Sequence, residues 1–422
     1  MTNKNRWSLV IILATIFLDL LGFGILIPVV PLLFVEPTSR FFILSSRLPP
    51  EFGFIMLGFL IASFPFGQFI STPIFGELSD RFGRKPLMII SLLGTAIGYL
   101  MFGSAILLKN VWLLFVSRLF DGITGGNIAV AQAAIADITE PKFRARNFGL
   151  VGAAFGLGFI LGPYLGGKLS DPAINPLFSP ATPFWVAACL AFINVIFFLW
   201  FFDETHLVKK VGKINWLKGL YNIKHAIESP KLSKLYLTVF LFQGGFAFFT
   251  TFFSVFLIQR FHFHQAHIGN FFAYIGLWVV LTQALINPFI NRLGREKQVL
   301  LFSLFGCGLA TWLYFLPTQP FGLYFIAPFF SFFNGLVQAN LVALISKTAD
   351  ASIQGEVLGV NSSVQALAQS LPPIASGFIA ASLSATAPVW ISGLIMVIAG
   401  LWFWSIKKTL AGPLVSLPSS VV

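Results

Sequence analysis

Twelve stretches of the chain are apolar for long enough to cross a bilayer as helices, and this leaves few folds open. They lie at about 8–34, 52–75, 87–108, 111–138, 147–169, 183–202, 234–259, 267–290, 298–316, 321–346, 357–382 and 387–406. A spanning helix needs roughly 20 residues, so the longer runs imply tilt or overhang. The first run is too long for a signal-peptide core, and no small-residue cleavage site follows it, so it reads as the first span. Charged residues make up only 10% of the chain, against roughly 25% in soluble proteins. The fold class is therefore an all-α membrane protein with twelve transmembrane helices.

The placement of charge gives the orientation. Of the 27 Lys and Arg, 21 fall on the side that carries both termini if all twelve stretches cross. Arg40, Arg47, Lys109, Lys168 and Arg260 fall on the other side, and Arg118 lies inside a span. The positive-inside rule then puts both termini in the cytoplasm of a multi-pass protein of the cell membrane. The net charge of +12 is topological, with anionic lipid headgroups as its partner; nucleic-acid binding is not expected. The one long cytoplasmic stretch, 203–233, carries Lys209, Lys210, Lys213, Lys218, Lys224 and Lys231. It reads as an amphipathic linker between an N-terminal six-helix bundle, 1–202, and a C-terminal one, 234–422.

The two halves echo each other. Asp80-Arg81-x-Gly83-Arg84 returns 211 residues later as Asn291-Arg292-x-Gly294-Arg295. Asp121-Gly122, Asn127 and Asp137 return 213 residues later as Asn334-Gly335, Asn340 and Asp350. Pro163 and Gly167 return 210 residues later as Pro373 and Gly377. Two pseudo-symmetric six-helix bundles imply a substrate site near the midplane between them and alternating access around it.

Charge inside a bilayer is costly, so the few ionisable residues within spans are informative. Asp19 lies in the middle of the first span. A carboxyl there could exchange a proton for a substrate, or it could pair with Arg118, or cap a kink at Gly22, Gly24 or Pro28. Arg118 and Asp121 are three residues apart and share a helix face, which suits either a local ion pair or a proton or substrate role. Asp137 lies near the cytoplasmic end of the same span. The C-terminal half has no carboxylate in its span centres; Gln243, Gln283, Asn287, Gln338, Asn340, Asn361, Gln365 and Gln369 take that place.

The fifth span carries Gly158, Gly162 and Gly166 at intervals of four, a smooth stripe for close helix contact. It has no preceding strand to make it a nucleotide loop, and no Walker-type motif supplies ATP hydrolysis. His262, His264 and His267 cluster between the seventh and eighth spans, where solvated imidazoles are the plain reading and a metal site or pH sensor the alternative. Cys189 and Cys307 fall in different halves and read as buried, inert thiols. No catalytic set, metal site or cofactor site emerges, so no enzyme activity and no cofactor are expected.

Residues 76–86, Gly-Glu-Leu-Ser-Asp-Arg-Phe-Gly-Arg-Lys-Pro, put five charges in a short link between two spans. The link reads as a tight turn that holds helix ends in register or releases them. It resembles the signature loop of the major facilitator superfamily. The run from Leu18 to Pro28, with Asp19, resembles the first helix of twelve-helix drug:H⁺ antiporters of the tetracycline-efflux type. Arg118 with Gly122, Gly125 and Gly126 resembles their helix 4 arginine motif. Gly158-x-x-x-Gly162-Pro163-x-x-Gly166-Gly167 resembles their helix 5 antiporter motif, and Pro183-Phe184-Trp185 with Asp203-Glu204-Thr205 their helix 6. The resemblance covers essentially the whole chain.

It implies a fold and roles. Gly76, Asp80, Arg81, Gly83, Arg84 and Asp137 would latch one conformation, with Arg84 on Asp137 and Asp80 near the end of the eleventh helix. Asp19, Arg118 and Asp121 would handle protons, and Gly158, Gly162, Pro163, Gly166 and Gly167 would seal the central path. The uncharged C-terminal spans depart from tetracycline pumps and favour a neutral to amphipathic, hydrophobic substrate held by Gln243, Gln283, Gln338, Asn340, Asn361 and Gln365. The expected function is proton-coupled export by a monomer that partners small molecules, protons and lipid. A facilitator or proton symporter for a sugar or organic anion is the alternative.

Overall fold

The structure is a computed structural model that describes residues 3–45, 47–140, 143–206, 229–291, 295–348 and 354–410. The linker lysines from 209 to 224, with the amphipathic helix expected there, and Arg292, Gly294 and Asp350 of the second repeat lie outside these residues. So does the stretch 349–353 that leads into the eleventh helix.

Twelve helical elements follow one another, with no strand among the described residues. They are α1 (Asn3–Phe34), α2 (Glu51–Phe82), α3 (Arg84–Leu107), α4 (Val111–Thr124 and Asn127–Ile138), α5 (Arg144–Ser170) and α6 (Thr182–Phe201). Then come α7 (Pro230–Phe261), α8 (Gln265–Leu281, a π turn at Thr282–Ile286, and Asn287–Asn291), α9 (Glu296–Leu313), α10 (Pro320–Thr348), α11 (Gln354–Ser382) and α12 (Ala387–Ile406). Ten are long and apolar enough to cross a membrane by themselves. The other two are α9, which opens on Glu296 and Lys297, and α11, which is diluted by Asn361, Ser362, Ser363, Gln365 and Gln369. Helices suit this setting because they bond every backbone group within the segment.

Several helices start three to five residues before the expected boundary, α1 at Asn3 among them, and two differences have a clear physical cause. The charged residues 76–82 are not a loop: α2 stays helical to Phe82, and Gly83 alone makes the turn, at φ 105° with its N–H on the Ser79 carbonyl (3.1 Å). Only glycine takes that backbone conformation without strain. The seventh helix starts at Pro230, four residues before the expected boundary, because Pro is well suited to a first helical position.

The break in α4 at Gly125 and Gly126 is a packing feature. A Cβ on Gly126 would come within 3.0 Å of the Phe75 ring and the Ser71 carbonyl on α2. Freed carbonyls are satisfied from that helix: Gln68 Nε2 donates to Gly125 O (3.0 Å) and Ser71 Oγ to Gly122 O (3.1 Å). Side-chain rescue of this kind is what lets a spanning helix break.

The halves α1–α6 and α7–α12 meet along α2 with α11 and α5 with α8. Gly377 lies against the backbone of Phe54 and Ile55, and Gly58 against Pro373. Gly167 lies against the backbone of Gln265 and Gly269, and Gly276 against Ile160. The repeated Pro163/Gly167 and Pro373/Gly377 thus make equivalent contacts across the molecule. All of these contacts lie in the half of the bundle away from the 76–86 turn.

At the end that carries the turn, the same helix faces are empty. Gly76 follows Gly58 by eighteen residues on α2, five full turns at 3.6 residues each. Gly149 precedes Gly167 on α5, and Gly359 precedes Gly377 on α11, by the same interval. A Cβ on Gly76, Gly149 or Gly359 would meet nothing within 4 Å. The halves are therefore closed at one end and splayed at the basic end.

Candidate functional site

Midway along α1, Asp19 is 8% exposed. Asn127, at the restart of α4, faces it, and the Asp121 carboxylate is within electrostatic reach. Among the described residues Asp19 Oδ2 makes no close hydrogen bond, and the Asn127 amide is the polar group that faces the carboxyl. Buried polar atoms are almost always paired, so an orphan carboxyl oxygen calls for a functional explanation such as proton exchange. Arg118 does not pair with Asp19. Its Nη1 donates to Asp121 Oδ2 at 2.8 Å, with the two side chains 2% and 1% exposed. The guanidinium lies 4.7 Å from the Phe64 ring centroid and 6.0 Å from that of Phe102. The guanidinium is stacked on aromatic faces, and among the described residues Arg118 Nε and Asp121 Oδ1 make no further hydrogen bond; Asp19 differs from Asp121 in having no ion-pair partner there.

Tyr99 joins this cluster without a signal in the sequence. Its hydroxyl donates to the Leu18 carbonyl (3.3 Å), and its ring occupies the space that a side chain at Gly22 would need. A contact between α3 and α1 depends on packing over a long stretch of chain, which local pattern does not carry. Asn127 was visible only as a member of the repeat.

The α5 glycines put this wall together. A Cβ on Gly158 would fall 2.6 Å from Leu20 Cβ, one on Gly162 2.6 Å from the Leu21 carbonyl oxygen, and one on Gly166 2.8 Å from Ile25 Cα. Gly24 answers from α1: a Cβ there would lie 2.6 Å from Pro163 Cδ. The stripe packs α5 on the segment of α1 that carries Asp19. Pro163 and Gly167 face α8 of the other half, so one helix touches both the acid-bearing helix and the opposite bundle.

At the basic end, Arg84 Nη1 lies 2.7 Å from Asp80 Oδ1 and Arg84 Nε 3.3 Å from Asp137 Oδ2; Nη1 also donates to Ser79 Oγ. Arg81 pairs with Glu77 at 3.0 Å. Glu204, just past α6, accepts from the backbone N–H of Arg84 (2.7 Å) and of Lys85 (3.1 Å). It caps the open start of α3. Its carboxylate fills the place of a Cβ on Gly83, a second reason for glycine there. Thr205 Oγ1 bonds Asp137 Oδ2 at 3.2 Å. The ends of α2, α4 and α6 and the start of α3 form one knot within the first half.

In the second half, Gln243 on α7 and Gln338 on α10 exchange amide hydrogen bonds at 3.1 and 3.3 Å. Asn340 Nδ2 donates to Asn287 Oδ1 (2.9 Å) and Leu336 O (2.8 Å). Asn361 is buried with Oδ1 unpaired among the described residues, and Gln283 and Gln365 are half-buried without joining either pair. Beside them lies an aromatic pack in which Phe249 stacks on Phe253 (4.3 Å) and Phe330 (4.5 Å). These side chains are polar and uncharged. Among the described residues no group of three His, Cys, Asp or Glu could hold a metal; His262 instead ends α7 in a left-handed conformation. Cys307 is buried, whereas Cys189 is exposed on α6.

Comparison with known proteins gives a consistent result. The family profile described as Major Facilitator Superfamily matches residues 12–278 and 235–419. The chain is 30% identical to the class H tetracycline resistance protein of Pasteurella multocida over 389 residues, covering 88% of each. It is 29% identical to Multidrug resistance protein 2 of Bacillus subtilis over 426 residues, covering 98% of each. The crystal structure of the human organic anion transporter MFSD10 superposes with a TM-score of 0.70 at 24% identity, covering 94% of this chain and 99% of that one.

Proposed function

The chain belongs to the major facilitator superfamily, and from that premise we propose that it is a proton-coupled antiporter that exports small amphipathic or hydrophobic compounds by alternating access. It is a multi-pass integral membrane protein and a transporter rather than an enzyme. Relatives named for tetracycline and multidrug resistance support export of drug-like compounds. The observation that carries the proton coupling is Asp19: a buried carboxyl in α1, without an ion-pair partner among the described residues, while the one arginine inside a span, Arg118, pairs with Asp121.

In this reading the protein sits in the cell membrane as a monomer with both termini and the 76–86 turn in the cytoplasm. Residues 1–202 and 234–422 rock about a central path, and 203–233 links them. The splayed end then faces the cytoplasm, and the structure is the loading state. Substrate enters between the halves and meets Gln243, Gln283, Gln338, Asn340, Asn361 and Gln365 on one side and the Asp19 wall on the other. Arg118 and Asp121 hold charge balance while Asp19 gains and loses its proton. The packed α5 glycines keep the far side sealed. When the basic end closes, Gly76, Asp80, Arg81, Gly83, Arg84 and Asp137 latch the halves there. An uncharged second half suits neutral or amphipathic solutes better than one that needs a fixed counter-charge.

Accumulation assays test this. Cells expressing the protein should retain less tetracycline, fluoroquinolone or lipophilic cation than controls, and a protonophore should abolish the difference. Equal accumulation across that panel, with a sugar or organic anion equilibrating instead, would replace export by facilitation.

A further inference from the structure

The pseudo-symmetry assigns a lipid site that the transport cycle does not use. Arg84 and Arg295 are equivalent positions, 211 residues apart. Arg84 is held by Asp80 and Asp137. In the second half Asn291 stands in the sequence where Asp80 stands in the first. Among the described residues Arg295 makes no ion pair, and it is exposed. Lys347 on α10 pairs with Glu296 at the start of α9.

Arg295 instead stands at the mouth of a groove of about 290 Å³ lined by Gln298, Val299, Phe302, Ser303, Phe332 and Phe333. The groove runs between α9 and α10. Its walls continue into a lipid-facing surface, with Phe302 at 71% exposure on α9 and Phe325 and Phe329 at 62% and 60% on α10. Phe333 rests on Gly306, where a Cβ would come within 2.6 Å of its ring, so a small residue shapes one wall. A cation and a neutral amide above an aromatic trough, at the basic end of a membrane bundle, match one ligand chemistry: an anionic headgroup with an acyl chain below it. Basic pockets between spanning helices on the cytoplasmic side hold such headgroups.

We infer that the α9/α10 groove binds an anionic diacyl phospholipid, with Arg295 and Gln298 on the phosphate and Phe302, Phe332 and Phe333 along the acyl chain. Asn291 removes one of the two carboxylates that hold the equivalent Arg84; the counterpart of the other, Asp350, lies outside the described residues.

Native mass spectrometry of the full-length protein, titrated with phosphatidylglycerol or phosphatidylcholine in detergent, tests it. Wild type should retain phosphatidylglycerol preferentially. Arg295→Gln should weaken that retention about fivefold, the value of one basic contact of about 1 kcal/mol at a membrane surface. Lys297→Gln, at a neighbouring half-buried cation outside the groove lining, should leave retention unchanged. Phe302→Ala should weaken retention of both lipids. Inorganic phosphate should not displace bound lipid, because the trough contributes to the affinity. Equal retention by wild type and Arg295→Gln, or an equal loss in Lys297→Gln, would refute a specific site, as would displacement by inorganic phosphate.

Discussion

At the level of single residues, the distinction that matters is between two kinds of buried charge. Arg118 and Asp121 pair at 2.8 Å in a buried setting, so removing one leaves an uncompensated ion, at a cost of about 3–5 kcal/mol. Arg118→Leu should lower thermal stability by that order. The double variant Arg118→Leu/Asp121→Leu should regain most of it, since an apolar pair of similar volume is tolerated, yet should remain inactive in transport. Recovery of transport in the double variant would make the pair a structural element only. Asp80 gives a second check. Its carboxylate lies at the basic surface on Arg84, so Asp80→Asn should insert and fold with little change but transport more slowly. Wild-type transport rates in Asp80→Asn would remove the latch role.

Along the elements, most of the fold was legible and the breaks were not. Twelve apolar runs and three repeated motifs at nearly one offset predict twelve helices in two halves, because membrane length and pseudo-symmetry are written in local composition. The π turn at Thr282–Ile286 and the interruption at Gly125–Gly126 depend on what a neighbouring helix offers, such as Gln68 and Ser71 donating to α4 carbonyls. The same holds at the site. Asp19, Arg118 and the α5 glycines stand out because charge and small-residue spacing are rare in a span. Tyr99, and Glu204 as the cap of α3, are defined by contacts more than eighty residues away. The stripe itself makes a prediction. Gly162→Val places branched carbon against the Leu21 carbonyl and Gly24, and overpacking of this kind costs about 1–3 kcal/mol. A lower melting temperature and weaker transport should follow; an unchanged melting temperature would mean that α1 and α5 can separate freely.

For the whole molecule, the three pairs of glycines spaced by eighteen residues define a closed end and an open end on the same helix faces. Alternating access requires the empty positions to become filled. Cysteines at Phe59 and Phe378, whose rings lie 6.0 Å apart at the closed end, should cross-link in the resting protein, and cysteines at Gly76 and Gly359 should not. Substrate with an imposed proton gradient should reverse both reactivities. A fixed pattern under all conditions would describe a static bundle. The central claim, however, is that a proton on Asp19 drives the cycle. Its most direct test is proton movement in acidified proteoliposomes carrying the purified protein, with tetracyclines, fluoroquinolones, lipophilic cations and sugars added in turn. Proton release should follow addition of an exported compound to wild type and vanish in Asp19→Asn. Release that persists in Asp19→Asn, or substrate equilibration with no proton movement in wild type, would contradict it.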